Sequence, residues 1–145
     1  FPGETEADFA ELERFITHAR LDAIGVFGYS DEDGTEAATY EHKLDQEVVD
    51  KRLAHLSRLA EELTAQRAEE RIGETLEVLV ESLDEEDGWI GRAAHQAPET
   101  DGQVVLVTAD GTDPDLAPGR MVRAKVVGTE GVDLVAECLF EEAGR

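Results

Sequence analysis

The chain has 145 residues, a formal net charge of −22 and 41% hydrophobic residues. The acid excess is shared, −10 over residues 1–72 and −12 over 73–145. It argues against a surface built to grip phosphates, which needs clustered cations, and fits either a basic protein partner or an acidity that only keeps the protein soluble. No apolar run approaches membrane-spanning length, and no signal peptide opens the chain. The single Cys138 cannot close an internal disulfide and points to a cytosolic, cytoplasmic setting. His18, His42, His55 and His95 are scattered without metal-ligand spacing.

In chain order, Phe1-Pro-Gly-Glu-Thr5 reads as a turn of the kind that follows a strand, so an upstream part is expected. Thr5 and Asp8 form a capping box for a helix whose buried stripe is Phe9, Leu12, Ile16 and Ala19. Ala23–Tyr29 is a short apolar run without alternation, which predicts a buried strand of a parallel sheet. Ser30-Asp-Glu-Asp-Gly-Thr35 then closes that strand. Carboxyl ends of such strands carry sites, but from local sequence the segment reads first as an Asp/Gly turn with solvated acids. Asp45 is placed to cap a long helix reaching Ile72, with Val49, Leu53, Leu56, Ala60 and Leu63 as its stripe and exposed last turns. Gly73 stops it.

From Gly73 onward the period changes to two. Leu76, Val78 and Val80 fall on one face of a strand, and Thr75, Glu77 and Glu81 on the other. Four more strand-like runs follow: Gly88–His95, Gln103–Thr108, Met121–Val127 and Val132–Leu139. Asp87-Gly88, Asp101-Gly102, Pro118-Gly119 and Gly128–Gly131 punctuate them. Five short antiparallel strands in about seventy residues most simply close into a small barrel, because closure removes the edges. The expected fold is therefore α+β: an incomplete α/β piece, residues 1–72, delivering a five-stranded antiparallel β-barrel, residues 73–142. The chain has no Gly-rich phosphate loop, Ser/His/Asp set or Cys-x-x-Cys pair. Its acidic clusters Asp31–Asp33 and Asp84–Asp87 lack the spacing of a calcium loop.

Three stretches carry a family resemblance. Phe1-Pro-Gly-Glu-Thr-Glu-Ala-Asp-Phe9 resembles the turn after the fifth strand of the radical-SAM barrel, Tyr29–Thr35 the end of its sixth strand, and Gly73 to about Phe140 the TRAM domain, an OB-like barrel. Together, and in this order, they resemble the C-terminal part of the radical-SAM methylthiotransferases. One branch of that family modifies an adenosine in tRNA and usually has Pro-Arg-Pro where this chain has Asp31-Glu32-Asp33. The other methylthiolates an aspartate of the twelfth small-subunit ribosomal protein. Ala97-Pro-Glu-Thr-Asp-Gly102 is similar to that branch's Ala-Pro-Glu-x-Asp-Gly.

The resemblance implies S-adenosylmethionine and two [4Fe–4S] clusters in a full-length enzyme. Cys138 matches no cluster ligand, so none is expected in this fragment, which is expected to be inactive alone. It implies further that Gly3 and Glu4 line the S-adenosylmethionine end of the barrel and that Tyr29 and Ser30 sit at the next strand end as cofactor-binding candidates, against readings of Pro2-Gly3 as a plain turn and of Tyr29 as a packed barrel residue. Glu77, Glu81, Asp84, Glu85, Glu86, Asp87, Glu99 and Asp101 are the candidates for docking the basic ribosomal protein, against a reading of the hairpin tip as solvated acid with no partner. Nucleic acid is an unfavoured partner, and the uncovered stripe Val49, Leu53 and Leu56 could pair with a second copy. The competing readings are the tRNA branch and a free-standing, non-catalytic TRAM-type binding module.

Overall fold

A computed structural model describes residues 1–98, 100–112 and 114–139. The chain divides into two compact units, Phe1–Leu63 and Thr64–Arg145.

In the first unit, helix α1 (Glu6–Ala19) starts at the capping box: the Thr5 hydroxyl accepts the Asp8 N–H, and the Asp8 carboxylate accepts the Thr5 N–H. The Thr5 hydroxyl also donates to the Asp8 carboxylate at 2.6 Å, and this bond, then the one from the Thr5 N–H, holds the Asp8 carboxyl below its ordinary 3.8. Ile16 is its buried residue, while Phe9 and Ala19 are half-buried and Leu12 is exposed. Ala23–Tyr29 corrects the expectation of a buried strand. It runs without strand pairing, and Phe27 is 91% exposed. A parallel strand exists only through its neighbours' hydrogen bonds, and no described residue supplies a ladder. Beyond it Thr35 closes a turn on the Glu32 carbonyl, with Gly34 at φ +83°, and a 3₁₀ turn covers Ala37–Thr39.

Helix α2 (Gln46–Glu69) begins with the Val48 and Val49 N–H groups donating to the Asp45 carbonyl. Its apolar stripe does not end at Leu63 as expected. Thr64 and Ala68 are buried, and Ala68 belongs to the core of the second unit. Small residues escape a reading that counts large apolar side chains, yet they allow close approach. The helix stops three residues before Ile72, and Gly73 at φ +94° donates its N–H to Val126.

The second unit is a closed five-stranded barrel: β1 (Thr75–Asp84), β2 (Gly88–Ala93), β3 (Val104–Val107), β4 (Met121–Glu130) and β5 (Asp133–Cys138), in the spatial order β1-β2-β3-β5-β4. Four of the pairings are antiparallel. The fifth, β3 with β5, is parallel, which corrects the all-antiparallel expectation. A closed ring with an odd number of strands cannot alternate direction at every seam. The long connection from Val107 to Met121 sends the chain across to the far side of β1, and the parallel seam results.

Inward positions are Val78, Val80, Val104, Leu106, Ala124, Val126, Leu134 and Ala136, all at most 2% exposed. Burying each of the larger ones contributes about 1.5–3 kcal/mol. Leu76, Trp89 and Val122 pack against this core from partly buried positions. β1 and β4 run three residues beyond their expected ends, to Asp84 and Glu130, because each absorbs an irregularity. The register shifts between Val80 and Ser82 in β1, and between Val126 and Gly128 in β4. Gly128 is thus inside a strand rather than in a turn. Bulges of this kind supply the bend that closing a small barrel requires.

Gly91 in β2 faces the β1 backbone so closely that an added Cβ would lie 2.4 Å from the Leu79 carbonyl oxygen and 2.8 Å from Val78. At Gly128 the nearest atom would be 3.9 Å away. Gly91→Ala is therefore expected to lower barrel stability by about 1–3 kcal/mol in urea unfolding, and Gly128→Ala by less than about 0.5 kcal/mol. Equal effects of the two would contradict this packing.

Candidate functional site

Two regions hold the residues singled out above, one in each unit. In the first unit, Phe1 to Glu4 form a tight turn: the Glu4 N–H donates to the Phe1 carbonyl at 3.1 Å, and Gly3 sits at φ +80°. That is the type II pattern, which needs glycine at its third position. The Gly3 N–H donates to the His42 carbonyl at 2.8 Å. Arg52 of α2 fastens the turn to the helices. One guanidinium nitrogen reaches the Glu4 carboxylate and another the Glu6 carboxylate, each at 2.5 Å, and the group lies 5.0 Å from the centre of the Phe9 ring. The Arg52 side chain is 12% exposed, which gives this tether more weight than an open surface pair.

Glu4, Tyr29 and Arg52 line a largely apolar cavity of about 250 Å³, together with Phe9, Leu53 and Leu56. The Tyr29 ring meets Phe1 edge-on at 5.7 Å. Its hydroxyl donates to Asp31 at 2.8 Å, and the Lys43 ammonium donates to the other Asp31 oxygen at 2.5 Å. The hydrogen bond to Asp31 pushes the Tyr29 phenol above its ordinary 10.0. The bond from Lys43, then that from Tyr29, holds Asp31 below its ordinary 3.8. The pairing is thus present at neutral pH and is lost only as the pH falls through the lowered value. Ser30 bonds to Glu32 at 3.2 Å and opens, with Tyr29 and Lys43, onto an adjacent groove. Of the four candidates, Glu4 and Tyr29 share a cavity, Ser30 lies beside it, and Gly3 shapes the turn without lining either space.

The second region is the β1–β2 hairpin and its neighbours. The Asp84 carboxylate accepts the Asp87 and Glu86 N–H groups at 3.0 and 2.8 Å, which holds it below its ordinary 3.8 and fixes the tip. Glu85, Glu86 and Asp87 are exposed there. Asp87 accepts from the Gln103 amide at 3.2 Å, so the tip is tied to the residue before β3. Glu81 pairs with Arg92 at 3.1 Å. Asp101 accepts the Ala97 N–H at 2.9 Å and shapes the loop after β2. Glu77 lies apart, opposite Arg123 of β4. Glu99 lies outside the described residues.

The register adds what spacing could not show. Among the described residues of the barrel, Arg120, Arg123 and Lys125 all fall on β4 or just before it, leaving Arg92 as the cation of β2 and β3. Asp133 escaped the sequence reading as well. It accepts the Gln103 N–H at 2.8 Å across thirty positions of sequence, a contact with no local signal. Among the described residues no group of histidine, cysteine and carboxylate side chains could hold a metal ion, and no helix is long and apolar enough to cross a membrane. Cys138 is buried in the barrel.

Residues 72–139 match the TRAM domain family. The whole chain aligns at 72% identity with the ribosomal protein uS12 methylthiotransferase RimO of Streptomyces avermitilis, covering 30% of that protein. The proteins of the same name from Streptomyces griseus and Salinispora arenicola are 74% and 60% identical over 94% of the chain, covering 28% and 27% of their lengths. The chain thus spans under a third of each of these relatives.

Because Arg52 fastens the Phe1–Glu4 turn, Arg52→Met is expected to speed hydrogen exchange at the Gly3 and Glu4 amides while leaving the β4 amides protected. Unchanged exchange at Gly3 and Glu4 would remove the tether.

Proposed function

We propose, on the premise that this chain belongs to the uS12 methylthiotransferase family and carries its TRAM barrel, that it is the C-terminal part of a radical-SAM enzyme that methylthiolates an aspartate of the ribosomal protein uS12. In this reading residues 1–72 complete the catalytic barrel, and residues 73–142 bind and position the protein substrate. The carrying observation is the distribution of charge: acids crowd the β1–β2 tip and the loop after β2, while most barrel cations sit along β4 or just before it. Such a surface speeds encounter with a cation-rich protein and repels RNA.

The single buried Cys138 does not fit the thiolate set of a [4Fe–4S] cluster, so both clusters belong to other parts of the enzyme. S-adenosylmethionine, when bound to a cluster, supplies the radical chemistry. Toward it this chain offers Gly3, Glu4, Tyr29 and Ser30. The Glu4–Tyr29 cavity supports their assignment to its edge, with Arg52 and Asp31 holding the two polar groups in place.

Two measurements test this reading. The 145-residue chain, reconstituted anaerobically with iron and sulfide, is expected to take up no stoichiometric cluster, and a reducible visible band would count against it. In the full-length enzyme, replacing Asp84, Glu85, Glu86 and Asp87 by Ser is expected to weaken uS12 binding. Each exposed pair is worth roughly 1 kcal/mol or less, so the loss should be several-fold and should shrink as salt is added. A serine in place of Asp84 keeps an oxygen for the tip's N–H groups, which separates charge from turn geometry. Unchanged uS12 affinity, together with tight tRNA binding by the unmodified enzyme, would favour the tRNA branch.

A further inference from the structure

We propose that the outer face of β1 and β2, bounded by the described residues of the loop after β2, by Gln103 and by Asp133 at the start of β5, forms a groove for an extended lysine- or arginine-bearing segment of the protein substrate. This rests on the reading above and goes beyond it: the contact that selects the partner lies in the groove, and the hairpin tip only steers.

The groove has a volume of about 470 Å³. Ile90 gives it an apolar floor, Pro98 and Thr100 stand on its wall, and Glu81 and Asp133 bring carboxylates to it. Arg92 is the one cation among its described lining residues, and it is paired with Glu81. Both partners of that pair are partly solvated, at 29% and 40% exposed. A pair of this kind is weak, so an incoming ammonium or guanidinium can share Glu81 at little cost. Asp133 makes no ion pair with the described residues and keeps acceptor capacity beyond the single N–H it takes from Gln103.

Hydrogen bonds tie the described residues of the wall to one another and to Asp133. The Asp101 carboxylate holds the Ala97 N–H, the Thr100 hydroxyl donates to the Pro98 carbonyl at 2.9 Å, and Asp133 holds Gln103. Gly102 sits at φ +77°, where a Cβ would lie 2.8 Å from Asp133 Oδ1 and 3.0 Å from the Val132 carbonyl oxygen. No other residue fits there without moving backbone. Residues whose bonds are already made lose less freedom on binding than unbonded loop residues would. Among the described residues of this stretch, Asp101 and Gly102 shape the wall, and Pro98 and Thr100 line the groove. Single-stranded RNA would ask for aromatic platforms and several cations, and the described lining offers no aromatic side chain and only Arg92.

The test is uS12 binding by the full-length enzyme at low salt, with two groove variants beside the hairpin-tip variant. Thr100→Trp fills the groove without changing charge. The double variant Glu81→Gln, Asp133→Asn removes two charges, while the amide oxygen introduced in place of the Asp133 carboxylate still accepts the Gln103 N–H. Both are expected to weaken binding about fivefold or more, the size of two exposed charge contacts, with the melting temperature of the double variant unchanged. Should Thr100→Trp unfold the barrel, the isosteric double variant still decides. An affinity of the double variant within about twofold of the unmodified enzyme would overturn the groove, and if the tip variant is then weakened the broader reading stands. An unmodified enzyme that binds tRNA and not uS12 would overturn both.

Discussion

Ring closure with five strands governs the second unit. An odd ring must contain one parallel seam, and a parallel seam needs a crossing connection. That connection runs from Val107 to Met121 and lets β4 close on β1 while β5 fills the gap beside β3. The interior left by so small a ring admits only Val, Leu and Ala in quantity, and those residues occupy it. At Gly91 β2 approaches β1 so closely that even one methyl group would strike the Leu79 carbonyl.

The same closure sorts charge. β4 pairs with β1 and β5, so the cations that it carries line one side of the ring. β2 and β3 inherit the other side with Arg92 alone among the described residues. The acidic hairpin tip and the loop after β2 then share one region, because Asp87 reaches Gln103 and Gln103 is held by Asp133. Net charge gives the sign of a preferred partner, and topology gives the face on which that sign is felt.

The first unit shows the opposite case, a local sequence signal without a tertiary answer in the described residues. Ala23–Tyr29 has the composition of a buried parallel strand, yet it runs unpaired with Phe27 in solvent. Helix α1 begins where its capping box dictates. The Thr5–Asp8 box is made of contacts three residues apart, which is why it is legible from the sequence. The Arg52 clamp joins positions 46 and 48 residues apart and is not.

Taken alone, the sequence determined whatever depends on neighbours along the chain: the capping box of α1, the change of period at Gly73, the strand faces of β1, and the turns at Gly88 and Gly102. It also carried the family likeness and the sign of the surface. Only the tertiary structure decided the parallel seam, the two register shifts, the burial of Thr64 and Ala68, and the groove that gathers Glu81, Thr100 and Asp133. The physical reason is range. Capping and alternation are settled within a few residues by backbone hydrogen bonds and the pleat. The groove depends on how strands far apart in sequence meet around a closed ring, and no local preference encodes that meeting.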